Sequence, residues 1–249
     1  MTLPRGRRDF AFQIALWLGF VLAYQLARGI SRNETAEAFR NAARVVRLER
    51  RTGIFFEPTL QRHVLETGGA LLRAADWTYW LSEFAVLSLA LLWVYLVHYE
   101  AFIRFRNWIL LTNVLGLFVY AALPTAPPRL LPWDGFVDTL ARSEELNHGS
   151  GLVQLVANPY AAMPSLHSAD ALIVGITLAS VVTSRWGRLW LLWPVWVAIA
   201  LMATANHFVI DILAGFALAG LAALLLLAGK AAARFRDRPD ATPAAPAGS

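Results

Sequence analysis

Residues 206–228 read NHFVIDILAGFALAGLAALLLLA. Beyond Asn206-His207 the run carries a single charge, Asp211, and otherwise only apolar or small residues. A helix rises about 1.5 Å per residue, so about 20 such residues cross the ~30 Å hydrocarbon core of a bilayer. The run is long enough to span, and it places an imidazole and a carboxylate at its mouth. Ionisable groups there are costly in lipid and default to a functional reading.

Five further stretches come close to that length: 10–27, 77–97, 108–123, 165–183 and 189–205. With 57% hydrophobic and 16% charged residues, the chain reads as a polytopic membrane protein. The expected fold class is all-α, with six transmembrane helices in one bundle over 10–230. A β-barrel would show short alternating strands instead of these runs. Trp77, Trp108, Trp186 and Trp190 fall at span ends, as interfacial anchors do.

Charge sets the expected orientation. Arg5, Arg7 and Arg8 precede the first span, Arg104 and Arg106 lie between the second and third, and Arg185 and Arg188 between the fourth and fifth. Lys230, Arg234, Arg236 and Arg238 follow the sixth. All fall on one side of a six-helix layout, which the positive-inside rule makes cytoplasmic. Residues 1–9 are then a cytoplasmic N-terminus, and the Pro- and Ala-rich segment 231–249 a disordered cytoplasmic tail. Arg7-Arg8 ahead of an apolar stretch could be a twin-arginine signal, but no clean small-x-small site follows, and an uncleaved first helix is expected. The net charge of +5 comes mostly from these flanks, so nucleic acid is not the expected partner. There is no cysteine, which excludes disulfides and thiolate chemistry.

Between the first two spans, residues 31–75 are too polar to cross. Arg40, Arg44, Arg47 and Arg51 recur at helical spacing, while Phe39, Ala43, Val46 and, less neatly, Leu48 form an apolar stripe, which predicts an amphipathic helix within 33–66. It would lie in the interface over anionic headgroups, or present a solvated face while packed on the external surface. The long loop 124–164 holds Arg129 behind Pro127-Pro128, where proline stiffens the backbone.

The polar residues at the span mouths form a candidate site for phosphoester cleavage. His207 and Asp211 stand at i and i+4, so the carboxylate can orient the ring and stabilise charge developing on it. That makes His207 the natural nucleophile. His167, in Pro164-Ser165-Leu166-His167 at the mouth of the fourth span, lies on the same side and can protonate a leaving alkoxide. Ser165, at or near the N-cap, and the N–H groups of the first turn favour an anion. Arg129 supplies a forked cation matched to phosphate oxygens. Asn206 and Asp170 are secondary candidates: Asp170 would orient His167 or pair with a cation on a neighbouring helix. Glu83 and Asn113 read as polar glue between helices, and His63, His98 and His148 as solvated.

Arg129, the Pro164–His167 step and His207-x-x-x-Asp211 together resemble, in order, the three signature motifs of the type 2 phosphatidic acid phosphatase superfamily. The Ala-Pro-Pro-Arg, Pro-Ser-Leu-His and Asn-His variants are most similar to the branch containing bacterial relatives of inositol phosphorylceramide synthase. The resemblance implies a six-helix membrane fold whose third-motif histidine, His207, attacks a lipid-linked phosphate to form a phosphohistidine, resolved by water or an acceptor hydroxyl. Asp211 would orient it, His167 act as general acid, and Arg129 with Ser165 hold the phosphate. Neither a metal nor another cofactor is implied. The implied partners are a lipid phosphate or phospholipid, surrounding lipids and an acceptor alcohol, with the site on the extracytoplasmic face. Two family cations are replaced here, by Ala122 seven residues before Arg129 and by Leu201 six before His207. Hydrolysis and head-group transfer therefore both stay open, and a non-catalytic lipid carrier is a third expectation.

Overall fold

The computed structural model of the chain describes residues 3–30, 35–131, 134–139 and 160–236. His148, Arg238, most of the expected site loop and the tail beyond 236 lie outside the described residues. Among those described, every regular element is helical, and one isolated bridge joins Thr125 to Ala161.

Among the described residues nine α-helices carry the fold: α1 Gly6–Ile30, α2 Thr35–Thr52, α3 Glu57–Thr67, α4 Gly69–Leu81, α5 Leu87–Val97, α6 Tyr99–Ala122, α7 Leu166–Val181, α8 Trp193–Ala203 and α9 Val209–Arg236. A π-helical segment, Ser82–Val86, fuses α4 to α5, and a 3-10 segment, Arg185–Leu192, runs into α8. Four helices among the described residues are then long and apolar enough to cross a membrane: Gly69–Val97, Tyr99–Ala122, Arg185–Ala203 and Val209–Arg234. The helix at α7 is apolar but has only 16 residues.

Several boundaries differ from the sequence expectation. The second span starts at Gly69 rather than at residue 77, because Asp76 does not need water: its Oδ1 accepts the Thr139 hydroxyl at 2.8 Å. The third starts at Tyr99 and takes in Arg106, whose Nη1 donates to Gln13 of α1 at 2.7 Å. Helix α9 continues to Arg236, so residues 231–236 are helical and not part of a disordered tail. In α2 the apolar stripe is rotated from the one expected. The buried residues are Ala38, Asn41, Ala42, Val45, Val46 and Glu49, while Leu48 is 51% exposed. The i, i+3/i+4 spacing of the buried set is that of one helix face, and Arg40, Arg44, Arg47 and Arg51 remain exposed opposite it.

Helix α7 is central, packed by α6, α8, α9 and the 3-10 segment. Its partners include Leu87, Val94, Tyr95, Phe102, Phe105 and Ile109, which form one apolar core with Leu166, Ile173 and Val174. The approach of α9 to α7 is set by Gly215, where an added Cβ would stand 2.2 Å from the Ser165 carbonyl oxygen. Only a residue without a side chain lets two backbones meet this closely. A second layer covers the same end of the bundle, where Ala38, Ala42, Val45 and Val46 of α2 pack with Ala126, Leu131, Phe136, Ala205 and Phe208.

Candidate active site

His207 stands two residues ahead of α9, in a tight segment where α8 ends and the chain reverses. Ala205 adopts φ 54° there, and the N–H groups of Asn206 and His207 both return to the Leu201 carbonyl, at 2.9 and 3.3 Å. Leu201 itself is fully buried in the core with Val197 and Ile212. The position that carries a cation in the resemblance therefore serves packing here.

The His207 ring is 5% exposed. Its Nδ1 lies 2.9 Å from the Ala162 carbonyl, so Nδ1 carries the proton and the lone pair sits on Nε2. Asp211 Oδ2 is 3.6 Å from Nδ1, at ion-pair rather than hydrogen-bond distance, and accepts the Phe208 N–H at 2.9 Å. The carboxylate thus fastens the segment that holds the ring, while Ala162 fixes the tautomer. Burial, followed by the nearby His167, holds the His207 imidazole down to about 3, so it stays neutral at ordinary pH.

His167 faces His207 with ring centroids 5.9 Å apart. It occupies the first turn of α7, where Ser165 is the N-cap residue: its Oγ accepts the Ser168 N–H at 3.3 Å, leaving the hydroxyl hydrogen to donate. The Ser165 N–H donates to the Asp211 carbonyl at 2.9 Å, tying the two helix mouths together. His167 Nε2 lies 2.8 Å from Glu83 Oε2, and the ring stacks on Tyr79 at 4.6 Å. Glu83 belongs to the π-helical segment, whose wider turn re-phases the side chains around it. It therefore reaches the site rather than serving only as glue. A carboxylate within an apolar span was the available signal; its pairing with His167 was not legible from spacing.

Arg129, in the 3-10 turn Pro128–Leu130, is anchored at both ends to the His207 segment. Its N–H donates to the Ala205 carbonyl at 2.8 Å and its Nη1 to Asn206 Oδ1 at 3.1 Å, while Nε stands 3.7 Å from Asp138. Asn206 in turn donates Nδ2 to the Thr204 hydroxyl at 2.8 Å. Asp170 is buried one turn below His167, and its carboxylate accepts from Asn113 Nδ2 at 2.9 and 3.2 Å. Those bonds tie α6 to α7 and make Asp170 neither the partner of His167 nor that of a cation. Ala122 is exposed at the end of α6 and brings no charge.

A cavity of about 350 Å³ adjoins this cluster. Trp17 of α1 with Phe84 and Leu91 provide apolar walls, and Glu83, Asn113 and Asp170 are among the polar residues that line it. Glu83 is common to the cavity and to the His167 contact. The assembled chemistry is a neutral imidazole with a free nitrogen, a second imidazole beside it held by a carboxylate, a guanidinium fork and a capped helix mouth.

A family model described as the PAP2 superfamily matches residues 43–225. No curated protein and no solved structure matches the chain.

Proposed function

The chain belongs to the PAP2 superfamily, whose members are in general phosphatases and phosphotransferases, and from that premise we propose that it is a membrane-embedded lipid phosphatase acting through His207. The observation that carries this reading is the facing pair of imidazoles, with His207 Nε2 left free by the Nδ1–Ala162 bond. In the first step Nε2 attacks phosphorus, the bond from phosphorus to the lipid oxygen breaks, and His167 delivers a proton to that oxygen. Glu83 holds Nε2–H of His167, so the transferred proton comes from Nδ1. In the second step water gives its proton to His167 as its oxygen attacks phosphorus, and the N–P bond breaks to release phosphate and restore His207. Arg129, the Ser165 hydroxyl and the first-turn N–H groups of α7 bear the charge on the non-bridging oxygens.

The reading of a lipid substrate is supported by the mostly apolar cavity that shares Glu83 with the His167 contact and has room for part of a hydrocarbon tail. In this reading α1 and α7 cross the bilayer together with the four long spans, both termini are cytoplasmic, and the site opens on the extracytoplasmic face. Helix α2 lies in the interface with its arginines toward headgroups. A second reading, transfer of a phospho-head group to a lipid or polyol hydroxyl, is favoured by the polar residues in the lining of the same cavity. Glu83, which also holds His167, and Asp170 offer carboxylate oxygens to an acceptor alcohol there.

The deciding experiment uses purified protein in nanodiscs with a radiolabelled lipid phosphate. Wild type should release inorganic phosphate and yield an acid-labile, base-stable labelled protein, and His207→Ala should do neither. Label transfer that depends on an added alcohol, with little free phosphate, would replace hydrolysis by transfer. Turnover retained in His207→Ala would overturn both.

A further inference from the structure

Close to His207, three carboxylates meet the first turn of α9. Asp211 Oδ2 takes the Phe208 N–H at 2.9 Å, Glu57 Oε1 the Val209 N–H at 2.9 Å, and Glu49 Oε1 the Ile210 N–H at 2.8 Å. Three consecutive backbone donors of one helix mouth are thus each claimed by a different side chain, two of them from helices more than 150 positions away in sequence. Glu49, Glu57 and Asp211 are all 0% exposed. Each has one oxygen without a hydrogen-bond partner: Glu49 Oε2, Glu57 Oε2 and Asp211 Oδ1.

Three buried anions in one volume are more than a helix dipole of about half a charge can hold. Like-charged carboxyls in contact resolve this by retaining a proton between them. We propose that Glu49 and Glu57 are positioning residues for the nucleophile, a proton-sharing pair that clamps the first turn of α9 and so holds His207 and Asp211 in place. The proton lies on Glu49 Oε2 and is donated to Glu57 Oε2, which satisfies both orphan oxygens at once. Burial, reinforced by the contact with Glu57, raises the Glu49 carboxyl to about 9, in accord with a proton retained at neutral pH. The charged groups acting on Glu49 are Glu57 of α3 and Asp211 of α9. Arg50, next on α2, turns instead to Asp134 and the Phe55 ring, and Arg129 is engaged with Asn206 and Asp138. His207 stands 3.6 Å from Asp211 Oδ2.

The clamp also decides where phosphate does not bind. A helix N-terminus is ordinarily an anion site, but at α9 its donors are already spent on carboxylates, so the substrate phosphate is left to α7, Ser165 and Arg129.

The proposal rests on the catalytic reading of His207, so its test has one arm that needs no turnover. A carboxyl whose pKa is higher folded than unfolded stabilises below its unfolded value near 4.5, and that stability is lost as pH rises toward about 9. Glu49→Gln keeps the acceptor for Ile210 and supplies a permanent donor to Glu57, so it removes this dependence. The Tm difference between wild type and Glu49→Gln, measured in detergent, should therefore change by several degrees between pH 7 and pH 9. A constant difference would overturn the shared proton even if the protein proved inactive.

In the activity arm, with lipid phosphate as probe, wild-type kcat should fall as pH approaches 9 with little change in KM. Glu49→Gln and Glu57→Gln, each normalised to its own maximum, should show that fall at least about one pH unit higher. Glu49→Ala leaves the Ile210 N–H orphaned, and its kcat should drop at least about tenfold while KM changes less than about threefold. An alkaline limb identical in wild type and both glutamine variants, or a Glu49→Ala loss confined to KM, would refute the positioning role.

Discussion

Gly215→Ala tests the geometry of the site from outside it. The residue touches no reacting group, yet its Cβ would lie 2.2 Å from the Ser165 carbonyl oxygen and 2.4 Å from Ser168 Oγ, well inside the 3.4 Å at which ordinary contact begins. The first obstacle is backbone and cannot rotate away, so α9 must move from α7 by about an ångström. That displacement separates His207, carried by α9, from Ser165 and His167, carried by α7. It also strains the Ser165 N–H to Asp211 carbonyl bond, now 2.9 Å. Misplacement on this scale costs catalysis roughly 100-fold, and overpacking costs stability about 1–3 kcal/mol. Gly220, one and a half turns further along α9, is the matched control because an added Cβ there meets nothing within 4 Å. Alanine at that position should leave kcat within about twofold and raise helix stability by up to ~1 kcal/mol. Phosphate release and thermal unfolding, measured on both variants in nanodiscs, give the two readouts. Full kcat in Gly215→Ala, with only a lowered Tm, would refute the claim that the α7–α9 contact sets the distance between the imidazoles.

Three further outcomes follow. His167→Ala should slow substrates with poor leaving groups most, and Glu83→Gln should reproduce part of that dependence with a loss of about 10- to 100-fold; a rate independent of leaving-group pKa in wild type and both variants would remove the acid role. Arg129→Lys keeps the charge but not the fork that spans Asn206 and a phosphate, so KM should rise about tenfold and kcat/KM fall further; an unchanged KM would place phosphate elsewhere. His207 is held near 3 against an ordinary 6.5, so the unfolded chain binds its proton first and wild-type stability declines as pH falls from about 6.5 to 3, by several kcal/mol in all. His207→Asn should flatten that decline in a Tm-versus-pH series, and an unaltered slope would contradict the buried neutral ring.

What could be read from the chain was local. Ser165 ahead of an apolar run announces a helix start because a hydroxyl there caps a free N–H, and the observed N-cap is that residue. The apolar runs announced membrane helices, but their ends were misjudged wherever a charged residue had a distant partner, as with Asp76 and Thr139 or Arg106 and Gln13. His207 and Asp211 were paired by spacing on a helix that in fact begins after His207, so Asp211 holds the Phe208 N–H and stands 3.6 Å from the ring. Glu83 needed a π-helical turn to reach His167, and no periodicity argument anticipates one. Glu49 lay one position beyond an exposed leucine in a segment read for its arginines. Its role depends on a contact with Ile210, which no local pattern encodes.

One wall of the cavity that shares Glu83 with the site lies outside the matched family segment. Trp17 and its neighbours belong to α1, whereas the matched family segment begins only at residue 43. The imidazoles, the guanidinium and the carboxylate clamp are all carried by 43–225, and this wall by a helix that precedes that segment. Under the proposed lipid-phosphatase reading, grafting a different first helix onto the same core re-tailors which hydrocarbon is admitted while the phosphate-handling groups stay with the core. On that reading, chain-length preference and reaction type are separately inheritable traits.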